Sequence, residues 1–236
     1  MHKGILINIE GTDGSGKTTQ VTKLIERLES EGYEVFHHKF PTENCVCSAP
    51  VYAYLKEEID TSGITGINAA ILYLADMVCW KQFIDKALDE GKVVILDRYY
   101  NSNLMHQVAR DWEREYPGQT NESSMFKLHA YQFAVALKGI VQKTKLPAPD
   151  KVIYLHTSPE LTNLRRESRN NGGDLHENNN THQILASQFG LVAAEHEGWD
   201  LIDEGTIDKP LSTEEIHEQV YALVKEAINN AFSEDN

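Results

Sequence analysis

Short apolar runs alternate along the chain with longer stretches in which apolar residues recur every three or four positions. The first run, residues 4 to 9 (Gly-Ile-Leu-Ile-Asn-Ile), predicts a buried strand closed by a glycine-bearing segment at 11 to 16. From Lys17 to Glu31, the residues Val21, Leu24, Ile25 and Leu28 share one side of a helix, and Gly32 stands at its stop. Glu34 to Phe40 reads as a second strand ended by Pro41, followed by helices near Val51 to Ile59 and from about Ile67 to Glu90. Lys92 to Leu96 is a near-continuous apolar run before Asp97, the pattern of a central parallel strand covered on both faces. The segment Trp112 to Ser124, with Pro117 and Gly118, reads as a loop or surface insertion. A helix from about Met125 to Gln142 and a fourth strand from Lys151 to His156 come next, and Ser158-Pro159-Glu160 opens another helix. A helix from about Thr181 to His196, a short strand at Asp200 to Asp203 and a last helix from Ser212 to Phe232 complete the order. This alternation predicts an α/β fold: a parallel central sheet of about five strands with helices on both faces.

The length of 236 residues suits one ample domain, and 41% hydrophobic with 25% charged residues is the balance of a chain that folds. With 36 acidic residues against 22 lysines and arginines, the formal charge of −14 argues against a nucleic-acid partner, so any anion must be held locally. Three cysteines, Cys45, Cys47 and Cys79, are too few for a disulfide framework and point to the reducing cytoplasm. The expectation is also of no membrane partner, since no run approaches ~18 uninterrupted apolar residues. The stretch from Asn170 to Asn180 carries little to bury and follows Arg165, Arg166 and Arg169, which predicts a lid over about 166–181.

The candidate chemistry starts at the end of the first strand. Gly11-Thr12-Asp13-Gly14-Ser15-Gly16-Lys17-Thr18, continued by Thr19, has the P-loop spacing and sits between a predicted strand and a predicted helix. Glycines let successive backbone N–H groups point inward, and the helix N-terminus adds partial positive charge at the same spot. Lys17 then reaches the outer phosphates and the Thr18 hydroxyl joins a Mg²⁺ shell. Asp97-Arg98-Tyr99-Tyr100 places an acid and a guanidinium beyond the carboxyl end of the central strand, the rim where α/β sheets bind ligands. Asp97 suits metal-bound water or an acceptor oxygen, and Arg98 suits a phosphate.

The stretch from Glu10 to Gln20, together with Asp97 to Asn103 and Gln107, resembles the thymidylate kinase family, and the order of elements agrees along nearly the whole chain. The resemblance implies transfer of the ATP γ-phosphoryl group to dTMP with Mg²⁺, a P-loop kinase fold, and a homodimer packed through helices. It places Asp13 on the deoxyribose, Arg98 on the acceptor phosphate, Tyr73 on the thymine ring, and Ser102, Asn103 and Gln107 around base and sugar. Gly14 in the loop, with arginines at the lid, resembles members that supply a catalytic arginine from the lid. Arg169, nearest the Asn170 to Asn180 stretch, is the residue expected in that role.

The chain departs from the family pattern at two places. Thr42-Glu43 and Asp76-Met77 stand where the family carries further acceptor-phosphate arginines, so Lys56, Lys81 or Arg110 has to compensate if the acceptor is a monophosphate. Glu43 also resembles the general base of deoxynucleoside kinases, which keeps a nucleoside acceptor open. A P-loop nucleotide switch without small-molecule transfer is the remaining alternative.

Overall fold

The structure, a computed structural model, describes residues 4–120, 123–167 and 179–233. Five parallel strands form the central sheet in the order β2-β3-β1-β4-β5: β1 (Ile5–Gly11), β2 (Val35–Lys39), β3 (Val93–Asp97), β4 (Lys151–His156) and β5 (Asp200–Asp203). β1 and β3 are buried at every position, as their predominantly apolar runs, with Asn8, Glu10 and Asp97 the polar exceptions, require of strands covered on both faces. Register is set by the period of two. Ile5, Ile7 and Ile9 with Val93, Ile95, Ile153 and Leu155 turn to one face, and Leu6, Val94, Leu96 and Tyr154 turn to the other.

The first face is covered by α1 (Lys17–Ser30) and by the last helix, α8 (Thr213–Ser233), through Val21, Leu24, Leu28, Val220 and Val224. The second carries α3 (Gly66–Asp89), α4 (His106–Glu115), α5 (Ser124–Thr144) and α7 (Asn180–Glu197). A short α2 (Ala49–Leu55) packs on α3, and α6 (Pro159–Glu167) begins where the Ser158 Oγ accepts from the Leu161 N–H at 3.3 Å, the expected N-cap. From β1 the chain runs to β2 and β3 on one side, and from β3 it crosses to β4 and β5 on the other, so the loops after β1 and β3 open at the switch point of the topology.

Two expectations need correction. Trp112 to Glu115 belong to α4 and not to a loop, because Val108, Ala109 and Trp112 form one apolar face; Trp112 is buried edge-on to Phe126 with ring centroids 5.0 Å apart, and its indole N–H donates to the Gln119 carbonyl at 2.8 Å. Helix α2 stops at Leu55 rather than near Ile59, since Glu57 takes a left-handed φ of 55°. A small antiparallel pair, β6 (Gly205–Thr206) with β7 (Lys209–Pro210), has no signal in the hydrophobic pattern. Most of the lid predicted at 166–181, including Arg169, lies outside the described residues; the described ends of that span are the last turn of α6 and the start of α7. No helix among the described residues is long and apolar enough to cross a membrane.

Candidate active site

The loop from Gly11 to Lys17 joins β1 to α1 as the spacing predicts. Gly14 (φ 89°) and Gly16 (φ 78°) hold the left-handed conformations that turn the backbone N–H groups inward. At Gly11 space is the constraint, because a Cβ there would sit 2.5 Å from Ser15 Oγ and 2.8 Å from the Leu155 carbonyl. Lys17 is buried in the loop mouth, and its Nζ donates to the Thr12 carbonyl at 2.9 Å. Burial, reinforced by nearby Arg98, lowers the Lys17 pKa to about 8. Ser15 Oγ is buried inside the loop and has no hydrogen-bond partner among the described residues. A donor set of loop N–H groups, one ammonium and an unengaged hydroxyl fits the phosphates of a nucleotide.

The Thr18 hydroxyl lies 3.4 Å from Asp97 Oδ2, and both residues line the P-loop cleft with Asp13, Gly14, Gly16, Lys17, Thr19, Lys39 and Arg98. Two hard oxygen donors beside a phosphate seat are the chemistry Mg²⁺ takes, with its remaining positions left to substrate and water. Arg98 follows the strand with φ 68° and its N–H returns to the Ile9 carbonyl at 3.1 Å, which aims the side chain across the rim. Its Nη1 donates to the Gly11 carbonyl at 3.1 Å and to His106 Nε2 at 3.0 Å, and its Nη2 to Asp13 Oδ1 at 2.5 Å. Burial works against the charged form of Asp13, but Arg98 and Lys17 outweigh it and hold the carboxyl far below its ordinary range. Burial and then Arg98 hold His106 well below the ordinary histidine range, so its imidazole is neutral and Nε2 accepts.

A second cleft, with about 500 Å³ of empty space, opens on the other side of the Asp13–Arg98 pair. Its walls carry Tyr73, Ser102, Asn103 and Gln107, the residues expected around base and sugar, together with Phe40, Leu55, Met77 and His106. Tyr73 stands edge-on to Tyr54 at 6.5 Å, and Tyr54 in turn donates to Gln107 Oε1 at 3.3 Å. Asn103 Nδ2 is tied to the Tyr100 carbonyl at 2.9 Å. Ser102 donates to Glu10 Oε2 at 2.5 Å, and Glu10 also accepts from Asn8 Nδ2 at 2.9 Å and from the Tyr99 N–H at 3.0 Å. Burial pushes the Glu10 carboxyl up against the pull of Arg98 and these three donors. Glu10 thereby fixes the turn that presents Arg98, Ser102 and Asn103, a role that the residue types alone did not reveal.

Other residues stand differently from expectation. Glu43 is exposed, pairs with Lys39 at 3.1 Å and lines neither cleft, so the general-base reading loses its geometry. Asp76 is buried and accepts from the Thr42 N–H at 2.7 Å, holding the segment after Pro41 onto α3. Of the three compensating cations, Lys81 pairs with Asp85, Arg110 donates to the Thr61 carbonyl at 3.0 Å, and Lys56 lies 6.0 Å from the Tyr52 ring; none lines either cleft. Arg165 reaches the P-loop, donating to the Gly14 carbonyl at 3.4 Å while paired with the buried carboxylate of Glu204. The sequence reading missed Lys39, His106 and Gln183, the last of which donates to Asp13 Oδ2 at 3.2 Å from α7. Lys39 was within reach of strand register, since it pairs with Asp97 across β2 and β3.

A P-loop cleft that shares an Asp–Arg wall with a second, partly apolar cleft is the arrangement of a phosphotransferase that seats donor and acceptor on one rim. The thymidylate kinase family model matches residues 9–120. A probable thymidylate kinase of Pyrococcus horikoshii is 32% identical over 225 residues, 94% of this chain and 97% of that one. The thymidylate kinase of Schizosaccharomyces pombe is 26% identical over 228 residues, 94% and 92% of the two chains. The solved thymidylate kinase of Candida albicans shares the fold, with a TM-score of 0.72 at 21% identity over 97% of this chain and 94% of that one. The chain belongs to the thymidylate kinase family and is a nucleoside monophosphate kinase.

The lowered pKa of Lys17 has a measurable sign. Above pH 8 the free protein loses the ammonium that a phosphate needs, so nucleotide affinity falls as pH rises. Calorimetric Kd for ADP is expected to stay level from about pH 6.5 to 7.5 and to weaken about fivefold between about pH 8 and 9. In Lys17→Met that pH dependence disappears.

Proposed function

We propose that the chain transfers the γ-phosphoryl group of ATP to dTMP, giving dTDP and ADP. The observation that carries this reading is the junction at Asp13 and Arg98, where a cleft lined by Tyr73, Asn103 and Gln107 meets the P-loop cleft. Catalysis is positioning and charge neutralisation, with no covalent enzyme intermediate. The inward N–H groups of Thr12 to Thr18 and the Lys17 ammonium hold the donor phosphates. Thr18 and Asp97 hold Mg²⁺, which when bound neutralises charge on those phosphates. Arg98 takes the acceptor phosphate, Asp13 the deoxyribose, and Tyr73 the thymine face, with Ser102, Asn103 and Gln107 around base and sugar. The lid supplies a guanidinium to the transferring group. Arg169 is the residue assigned from the sequence, and Arg165 on α6 already reaches the loop.

Exposed Ile71 and Val78 on α3, with Leu128 and Val135 on the adjoining α5, support pairing of two copies through helices. Free Cys45, Cys47 and Cys79 are consistent with the cytoplasmic setting. The test is ADP release with dTMP, dUMP, dGMP, dCMP, thymidine and deoxycytidine as acceptors. dTMP is expected to react fastest. A nucleoside reacting fastest, with strong slowing in Glu43→Gln, would overturn the assignment and restore Glu43 as a base.

A further inference from the structure

The acceptor side of the site is short of positive charge. A nucleoside monophosphate brings close to two negative charges, yet among the described residues the acceptor cleft has one guanidinium, Arg98, already engaged with the Gly11 carbonyl, Asp13 and His106. The neighbouring positions offer no help: Met77 is an apolar wall, and Asp76 is a buried carboxylate spent on the Thr42 N–H. Donor phosphates are better provided for, with loop N–H groups and Lys17.

Lys39 is a cation with no assigned task. It ends β2 in register with Asp97 and lines the P-loop cleft together with Asp13, Asp97 and Arg98, of which Asp13 and Arg98 also border the acceptor cleft. Among the described residues its Nζ pairs with Glu43 alone, four residues on, at 3.1 Å, and the two side chains are 46% and 66% exposed. An ion pair that wet is weakly held and readily exchanged. A phosphate dianion, with more charge and three oxygens, is the stronger partner for a flexible ammonium.

We propose that Lys39 leaves Glu43 on substrate binding and closes on the acceptor phosphate opposite Arg98, supplying the second positive charge that the acceptor cleft is short of. Lys39 is then a determinant of monophosphate over nucleoside as acceptor. The proposal rests on the assignment of dTMP as acceptor, and the experiment separates the two. dTMP, thymidine and ADP are titrated into wild type, Lys39→Met and Lys39→Arg by calorimetry, with steady-state KM and kcat for dTMP alongside. In Lys39→Met, dTMP affinity is expected to fall about tenfold or more while thymidine and ADP change by less than about twofold. Lys39→Arg, which keeps the charge, is expected to recover most of the loss. An unchanged dTMP affinity in Lys39→Met, a loss falling on ADP alone, or equal losses for dTMP and thymidine would each overturn the role of Lys39 while leaving wild-type dTMP kinase activity in place. Wild type that neither binds nor phosphorylates dTMP would overturn the assignment of dTMP and the Lys39 clamp together. Because Lys39 is exposed, neither substitution opens a cavity.

Discussion

Lys17→Met is expected to lower kcat by about 10²- to 10³-fold or more, the scale on which a preorganised donor at developing charge contributes in a water-poor site. The side chain is buried, and burial already works against its charge, so a thioether of similar length fits the same slot and relieves that cost. In the free protein the variant loses the hydrogen bond to the Thr12 carbonyl and the attraction to Asp13, offset by removal of the buried charge and of its repulsion from Arg98. Thermal unfolding followed by circular dichroism is therefore expected to match wild type while turnover collapses. Full steady-state turnover in the variant would remove the P-loop from the chemistry and the kinase assignment with it.

Arg98→Met is the second large effect, and it strikes both binding and stability. The acceptor loses a charge-assisted contact, for which KM for dTMP is expected to rise about 10- to 100-fold, with a smaller rise in KM for ATP because Arg98 also borders the donor cleft. The free protein loses the partner of Asp13, whose carboxylate is mostly buried, at a cost of about 2 kcal/mol at neutral pH. The pH dependence has a definite sign. In wild type the Asp13 pKa is depressed in the folded state, so its contribution is present above the unfolded value of about 4 and is lost as the pH falls further. Arg98→Met should lack that contribution, and the stability gap between variant and wild type should narrow below about pH 4. Denaturant midpoints at several pH values check this; a gap that widens on acidification would contradict the pairing.

Much of this architecture is legible in the chain because the signals are local. Val93 to Leu96 is apolar throughout and Ile5 to Ile9 is broken only by Asn8, the pattern of strands covered on both faces, and Gly14 and Gly16 stand where the loop needs left-handed backbone. The rest depends on contacts between distant segments. Trp112 reads as the start of a loop beside Pro117 and Gly118, yet it meets Phe126 and Phe189 from other helices and is held in α4 by them. Glu43 sits at a position where a base is plausible by spacing, but the chain after Pro41 turns its carboxylate outward to Lys39. His106 and Gln183 come from two helices 77 residues apart in the numbering and converge on the Asp13–Arg98 pair, which no single stretch of sequence displays.

Asp13 and Arg98 form the partition between the two chambers, and each borders both. A replacement at either one cannot alter the choice of acceptor without also disturbing the grip on the donor. Drift toward a new base is therefore channelled into the far wall, through Tyr73, Met77, Asn103 and Gln107, which border one chamber and not the other. A change at those four positions reshapes the acceptor chamber and leaves the residues lining the P-loop chamber as they are.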